Sequence, residues 1–410
     1  MYSFIRSCLV DHIPNYLKRG RMYRCYLKFL KSSDGWDIEA IKEYHDNNLK
    51  KIETYVRNNV EFYKNKSELI THKSDIKNHF KQLFNDNGTP YYFGMTGGTT
   101  GRPIKFCISK AAVIKHEAML DHILEKYGFS TSFFTRKIVF RGTRLPRNKS
   151  SIRFGLRLYL SSYHLNKSSL KKHCREIERF KAEIIHAFPS SIITLAKYIK
   201  NECIRVDFTT VRFILISSEL CSVRDKELLK SVFCNALIID FYSNSEQTVL
   251  GYQVDFEDGF FPFQMGDVTV DCDNNIYSTS YNEFVFPLIN YKTDDRVSNL
   301  YYDDNFHLRY KSILGRAQSY LVGHNDMKIS IASLNMHEAY FCCVYGFQFE
   351  QLEPGIIQIN LVVGDDFAMS SEDVKKYFYG KLPGFEIKFV LMDELKRTKS
   401  GKEKLLISSL

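Results

Sequence analysis

The sequence predicts an α/β protein: a large N-terminal domain with mixed sheets and flanking helices, followed by a small C-terminal α+β domain. Three observations carry this. The 410 residues exceed what one ordinary core holds. Strand-like and helix-like segments alternate as far as Phe241, the pattern of a mostly parallel sheet covered by helices. From Val268 onward the texture changes to short strands and turns, and the last stretch carries strands and a helix of its own. The expected boundary divides residues 1–316 from residues 317–410.

Taken in order, Ile38, Ile41, Tyr44, Leu49, Ile52 and Val56 recur at helical spacing between Asp37 and Tyr63, and a second helix is expected over Ser74–Phe84. Thr89–Phe93 and Ile104–Ile108 read as strands on either side of the small-residue segment Gly94–Gly101. Ala111–Tyr127 reads as a helix, Lys137–Arg141 as a strand and Leu170–Phe180 as a helix. Ile184–Ala187 is a short buried strand ahead of Phe188-Pro189-Ser190-Ser191, and Ile192–Asn201 is helical. Phe213–Ser217, ending at Ser218-Glu219, and Ala236–Phe241 are apolar enough for buried parallel strands. Beyond the turns at Asp273-Asn274-Asn275 and Tyr302-Asp303-Asp304-Asn305, strands at Ile356–Val363 and Ile387–Met392 and a helix at Ser371–Tyr379 suffice for the small domain. No internal repeat or low-complexity tract interrupts the chain.

Apolar residues make up 44% of the chain and charged residues 25%, which excludes global disorder. Lys and Arg outnumber Asp and Glu by 57 to 47. That surplus suits nucleotides, acidic sugars or an anionic membrane surface, and it is equally the mark of a generally basic exterior. The basic residues are scattered without a zinc-finger, RNA-binding or helix-turn-helix signature, so nucleic acid is not an expected partner. The ten cysteines include no CxxC pair, which leaves no zinc cage or thioredoxin-like site. No secretory signal opens the chain, and reduced thiols in a cytoplasmic protein are the expectation. Met1–Val10 is apolar, shorter than a membrane span and carries Arg6: peripheral membrane contact stays open, a transmembrane segment is not expected.

The densest chemical signal is Thr96-Gly97-Gly98-Thr99-Thr100-Gly101-Arg102-Pro103. Three glycines let backbone approach a bulky anion, and hydroxyls and N–H groups can donate to phosphate oxygens. It is not a Walker A loop, because no Gly-Lys-Ser/Thr follows and the next element reads as a strand. The loop resembles the phosphate-binding signature of the adenylate-forming superfamily, which includes acyl-CoA synthetases, luciferases and peptide-synthetase adenylation domains. Further motifs of that superfamily follow in order. Asp240-Phe241-Tyr242-Ser243-Asn244-Ser245-Glu246 is similar to its aromatic–Ser/Thr–Glu segment, which implies that Tyr242 lies against adenine, with Ser245 beside it, and that Glu246 helps hold magnesium on the phosphates. Tyr291-Lys292-Thr293-Asp294-Asp295 resembles Tyr-x-Thr-Gly-Asp, whose aspartate, here Asp295, accepts from both ribose hydroxyls. Ser243 and Asp294 stand where the family usually has glycine. Gly315-Arg316-Ala317-Gln318 corresponds to the interdomain segment, with Arg316 near ribose and phosphate and Gln318 at the hinge. Arg397-Thr398-Lys399-Ser400-Gly401-Lys402 resembles the Thr-x-x-Gly-Lys ending, whose lysine, here Lys402, neutralises charge developing during adenylation. Ser218 and Glu219 join the nucleotide-binding set on the same resemblance.

The resemblance spans nearly the whole chain. Tyr159-Leu160-Ser161-Ser162-Tyr163-His164-Leu165 and Phe188-Pro189-Ser190-Ser191 point to the phenylacetate–CoA ligase and CapK-like branch. His164 and Ser190 are its candidates for the acyl pocket, although a buried structural histidine is the more common role for a residue such as His164. The zinc cysteines of some relatives are absent from Val249–Phe263. The resemblance implies ATP and Mg²⁺ as cofactors and an AMP-forming ligase that activates a small carboxylate and passes it to an amine in surface polysaccharide assembly. A CoA ligase forming a thioester is the alternative, and a degenerate nucleotide-binding module without catalysis is the second.

Overall fold

In this computed structural model the described residues are 13, 15–95, 104–129, 135–141, 145–146, 149–163, 165–316, 320–324, 328–330, 344–364, 367, 370–379, 382, 384–397, 403–408 and 410. The expected loop Thr96–Pro103, His164, Gln318 and Lys402 lie outside them, as does the side chain of Arg316. The chain forms two compact units, one of residues 135–239 with 318–410, the other of 2–134 with 240–317.

In the first unit, Ile184–Ala187 pairs in parallel with Lys137–Phe140 and with Phe213–Ser217. Lys137–Phe140 also pairs in parallel with Arg157–Leu160, whose other edge carries the antiparallel strand Ser151–Phe154. Parallel neighbours need crossovers, and the helices Lys167–Phe180 and Pro189–Asn201 supply them. Asn166 caps the first by accepting from the Ser169 amide. Pro189 opens the second, where its missing N–H costs nothing, so that helix begins three residues before the expected Ile192 and takes Ser190 into its first turn. Ile138, Phe140, Ile185, Ile214 and Ile216 are buried together with Ile192, Ala196 and Tyr198. Tyr345, Val362 and Leu395 from the C-terminal segment join this same core, and Lys197 donates to the Val344 carbonyl at 3.0 Å. The C-terminal segment adds its own four-stranded sheet, in the order Glu386–Leu391, Ile356–Val363, Val344–Glu353, Leu406–Ser408. Phe378 of the helix Ser371–Tyr379 is fully buried with Phe349, Ile357 and Ile359 of that sheet.

In the second unit, Asp37 caps the helix Ile38–Asn59 by accepting from the Ala40 amide. The helix expected over Ser74–Phe84 is broken at His79 into Lys73–Asn78 and Phe80–Leu83, because His79 leaves helical dihedrals (φ −122°, ψ 28°). Tyr91–Met95 and Lys105–Ser109 form an antiparallel hairpin around the glycine-rich segment. Four antiparallel strands, Gly266–Val270, Asn275–Ser280, Tyr291–Ser298 and Ser312–Arg316, make the sheet that carries the Tyr291–Asp295 and Gly315-Arg316 motifs. Among the described residues no helix is long and apolar enough to cross a membrane.

Candidate functional site

The bulge in Tyr291–Ser298 organises the second unit's candidates. Lys292 faces Tyr277 and Arg296 faces Asn275, so Thr293, Asp294 and Asp295 together oppose the one residue Ile276. The surplus length is absorbed at Asp294, whose φ of 64° is the left-handed region that glycine adopts freely and Asp or Asn tolerate better than other side chains. Its carboxylate also pairs with the Lys73 ammonium. Thr293 Oγ1 closes the bulge, donating to the Ile276 carbonyl at 3.1 Å and accepting the Asp295 amide at 3.2 Å. Asp295 lies opposite Arg316, and Arg296 opposite Gly315, itself at φ 73°. The pairing thus brings two successive motifs to one point of one sheet.

Tyr242, at the end of the strand Leu237–Ser243, donates its hydroxyl to Asp295 Oδ2 at 3.1 Å. Burial first, and then the Asp295 carboxylate, hold its phenol well above the usual value. Ser243 follows in extended strand geometry and donates to the Val249 carbonyl at 2.9 Å, so a glycine is not required there. The turn after it is clamped by Asn244, which accepts the Thr248 amide at 2.9 Å. It leaves Ser245 exposed and turns Glu246 inward, to 7% exposure. Tyr291, fully buried, donates to Glu246 Oε1 at 2.7 Å. Tyr242 with Asp295 and Tyr291 with Glu246 are thus two hydroxyl–carboxylate pairs within the unit. The Tyr291 hydroxyl was not singled out in the sequence, because tyrosine in a Tyr-x-Thr segment reads as packing.

In the first unit the candidates gather at the carboxyl ends of the parallel strands, where open α/β sheets bind ligands. Ser218 follows Phe213–Ser217 at φ 75°, a strained position for serine, and receives Arg141 Nη2 at 3.4 Å. Arg141 follows Lys137–Phe140 and meets His186 Nε2 at 2.8 Å. Burial lowers the pKa of both, and Lys137 and Arg141 push His186 further down, so neutral imidazole is the form that faces the guanidinium. Glu219 Oε2 accepts the Ser190 amide at 2.9 Å, in the first turn of Pro189–Asn201. Its Oε1 accepts the Glu403 amide, also at 2.9 Å. Arg397 and Glu403 form an antiparallel bridge and an ion pair at 3.0 Å, and Arg397 Nη1 donates to Ser190 Oγ at 3.3 Å. Burial raises the Glu403 carboxyl to about 7, opposed by Arg397 and Lys197 and reinforced by Glu219. Arg141, His186, Arg397 and Glu403 went unassigned in the sequence; only the strand ends at Arg141 and Ala187 hinted at the first two.

This architecture defines the class: the chain has the fold of the adenylate-forming ligases. It aligns with 2-hydroxyisobutyryl-CoA ligase in the postadenylation state, in complex with R3-HIB-AMP, at a TM-score of 0.62 and 13% identity over 88% of each chain. An open conformation of that ligase with 2-HIB-AMP and CoA aligns at a TM-score of 0.51 and 14% identity, over 73% of this chain and 80% of that one. In sequence the chain is similar to Protein CapK of Staphylococcus aureus, 22% identical over 367 residues, covering 82% of this chain and 79% of that protein. No protein-family model matches.

Proposed function

We propose that the chain is an AMP-forming ligase that adenylates a small carboxylate with ATP and passes the acyl group to an amine, in surface polysaccharide assembly. The observation that carries this is the bulged strand with Asp295 opposite Arg316 and under the Tyr242 hydroxyl. A carboxylate so held can accept both hydroxyls of a ribose, one on each oxygen, with the Tyr242 ring beside the base. The segment Thr96–Gly101 would bind the β- and γ-phosphates, with Ser218 at the same nucleotide; Glu219, expected beside it, has both oxygens on backbone amides. Lys402 would neutralise charge as a carboxylate oxygen attacks the α-phosphorus and pyrophosphate leaves. His164 and Ser190 would border the acyl group. Gln318 would be the hinge on which residues 317–410 turn between the two half-reactions.

Glu246 fits magnesium. One oxygen is taken by Tyr291, and among the described residues nothing bonds the other. A single carboxylate oxygen suits a cation that draws the rest of its shell from phosphate and water. When bound, magnesium would neutralise the triphosphate.

The likeness to Protein CapK supports the CapK-like branch, and hence an amine acceptor. The likeness to a CoA ligase supports the thioester alternative, in which CoA takes the acyl group after the same first step. Pyrophosphate release from MgATP, measured over amino acids, uronic acids and aryl acids with and without CoA or amines, tests both. Release with one carboxylate, lost in Lys402→Ala, is the expected result. A chain that does not bind ATP would refute the reading.

A further inference from the structure

Both oxygens of Glu219 are spent on backbone amides, one from Ser190 and one from Glu403, 184 positions away in sequence. The second strand of the same bridge is held separately. Arg397 spreads its guanidinium, Nη1 to Ser190 Oγ and Nη2 to Glu403 Oε2. Arg397 and Glu403 are thus tied to each other and, each by its own bond, to the start of one helix or the end of one strand. Lys402 is the next residue in the chain to Glu403.

We propose that Glu219 is the docking acceptor for this C-terminal hairpin, with Arg397 on Ser190 as the second clamp, so that the pair selects the arrangement used for the first half-reaction. This rests on the reading of Lys402 given above. Glu219 is then a positioning residue acting through the Glu403 backbone rather than a ligand of the nucleotide. Because it grips an amide and not a side chain, it reports the hairpin's backbone position. Release of the hairpin breaks both clamps together, since Ser190 and Glu219 are themselves hydrogen-bonded.

Amide hydrogen exchange on the full chain tests this without knowledge of the substrate. In Glu219→Ala the amides of 403–408 should exchange about tenfold faster or more, the scale of losing a charge-assisted hydrogen bond. Glu219→Gln, with one acceptor oxygen left, should fall between, and exchange in Phe213–Ser217 should stay as in the wild type. MgATP affinity should not change. Unaltered exchange at 403–408 would overturn the proposal, as would weakened MgATP binding with the hairpin unaffected, which would make Glu219 a nucleotide ligand. Should Glu219→Ala fail to fold, Arg397→Lys, which keeps the charge and loses the fork, gives the same readout. A wild-type chain that binds no nucleotide would count against adenylation alone, since hairpin exchange decides the clamp by itself.

Discussion

Asp295 and Glu219 are both carboxylates fixed by hydrogen bonds, one within a bulged strand and one just past a strand end, and they are held in different ways. Asp295 is presented by its own strand: a bulge, a left-handed Asp294 and the Thr293 hydroxyl settle its direction before any distant residue contributes. Glu219 also follows a left-handed residue, Ser218, but each of its oxygens is held by an amide from a separate segment. A group built by its neighbours in sequence behaves as a rigid receptor. One built by remote segments exists only while those segments stay together, which suits a contact that must form and break.

Four measurements would break or sharpen that contrast. Lys402→Ala should have the largest effect, lowering adenylation by about 10²–10³-fold, the usual loss for one transition-state charge stabiliser. Acyl transfer from a supplied acyl-adenylate should be spared, and equal loss in both half-reactions would refute the assignment. Next, Asp295→Ala should cost about 1.5–3 kcal/mol in kcat/KM for ATP, the worth of hydrogen bonds to a charged group. Since the bulge is held by Thr293 and Lys73, thermal stability should barely change; a large drop in Tm would mean that Asp295 is structural. Tyr291→Phe removes the hydroxyl that donates to the buried Glu246 Oε1 and should destabilise the second unit by about 1–2 kcal/mol, read from urea midpoints. The smallest effect concerns pH. The Glu403 carboxyl is raised to about 7, so the protonated form is favoured in the docked hairpin. Its stabilising contribution is therefore complete below the ordinary glutamate range and lost as pH rises through about 7. Hairpin exchange should accelerate between pH 5 and 8 beyond the intrinsic rate, and Glu403→Gln should abolish the excess.

The local elements were legible in the sequence because their causes are local. Ile184–Ala187, Phe213–Ser217 and Ile356–Val363 are apolar runs between polar punctuation and occur with those bounds. The first turn of the helix from Pro189 is hidden in the sequence, because the small polar Ser190 and Ser191 mask a turn that proline sets. The break at His79 leaves no mark in the sequence, since the apolar spacing runs on across it. In the site, Tyr242, Glu246 and Asp295 could be nominated from motif order, and Asp294 could be marked as standing in a glycine's place. That Asp294 takes glycine's dihedral, and finds Lys73, depends on a bulge that no residue pattern announces. Arg397 and Glu403 were out of reach for a further reason: each would pass for a solvated charge, and only long-range pairing gives it a partner. The grouping of 135–239 with 318–410 is of the same kind.

That grouping bears on how the polypeptide comes into being and on what can be cut from it. Tyr198 and Lys197 leave the ribosome long before Tyr345 and Val344, the residues that cover them. During synthesis the half-made sheet must wait with part of its core uncovered, a natural customer for a chaperone. A gene shortened to end at residue 316 would freeze the protein at that stage, and its product should be aggregation-prone and readily degraded even though every strand of the sheet carrying Asp295 is encoded.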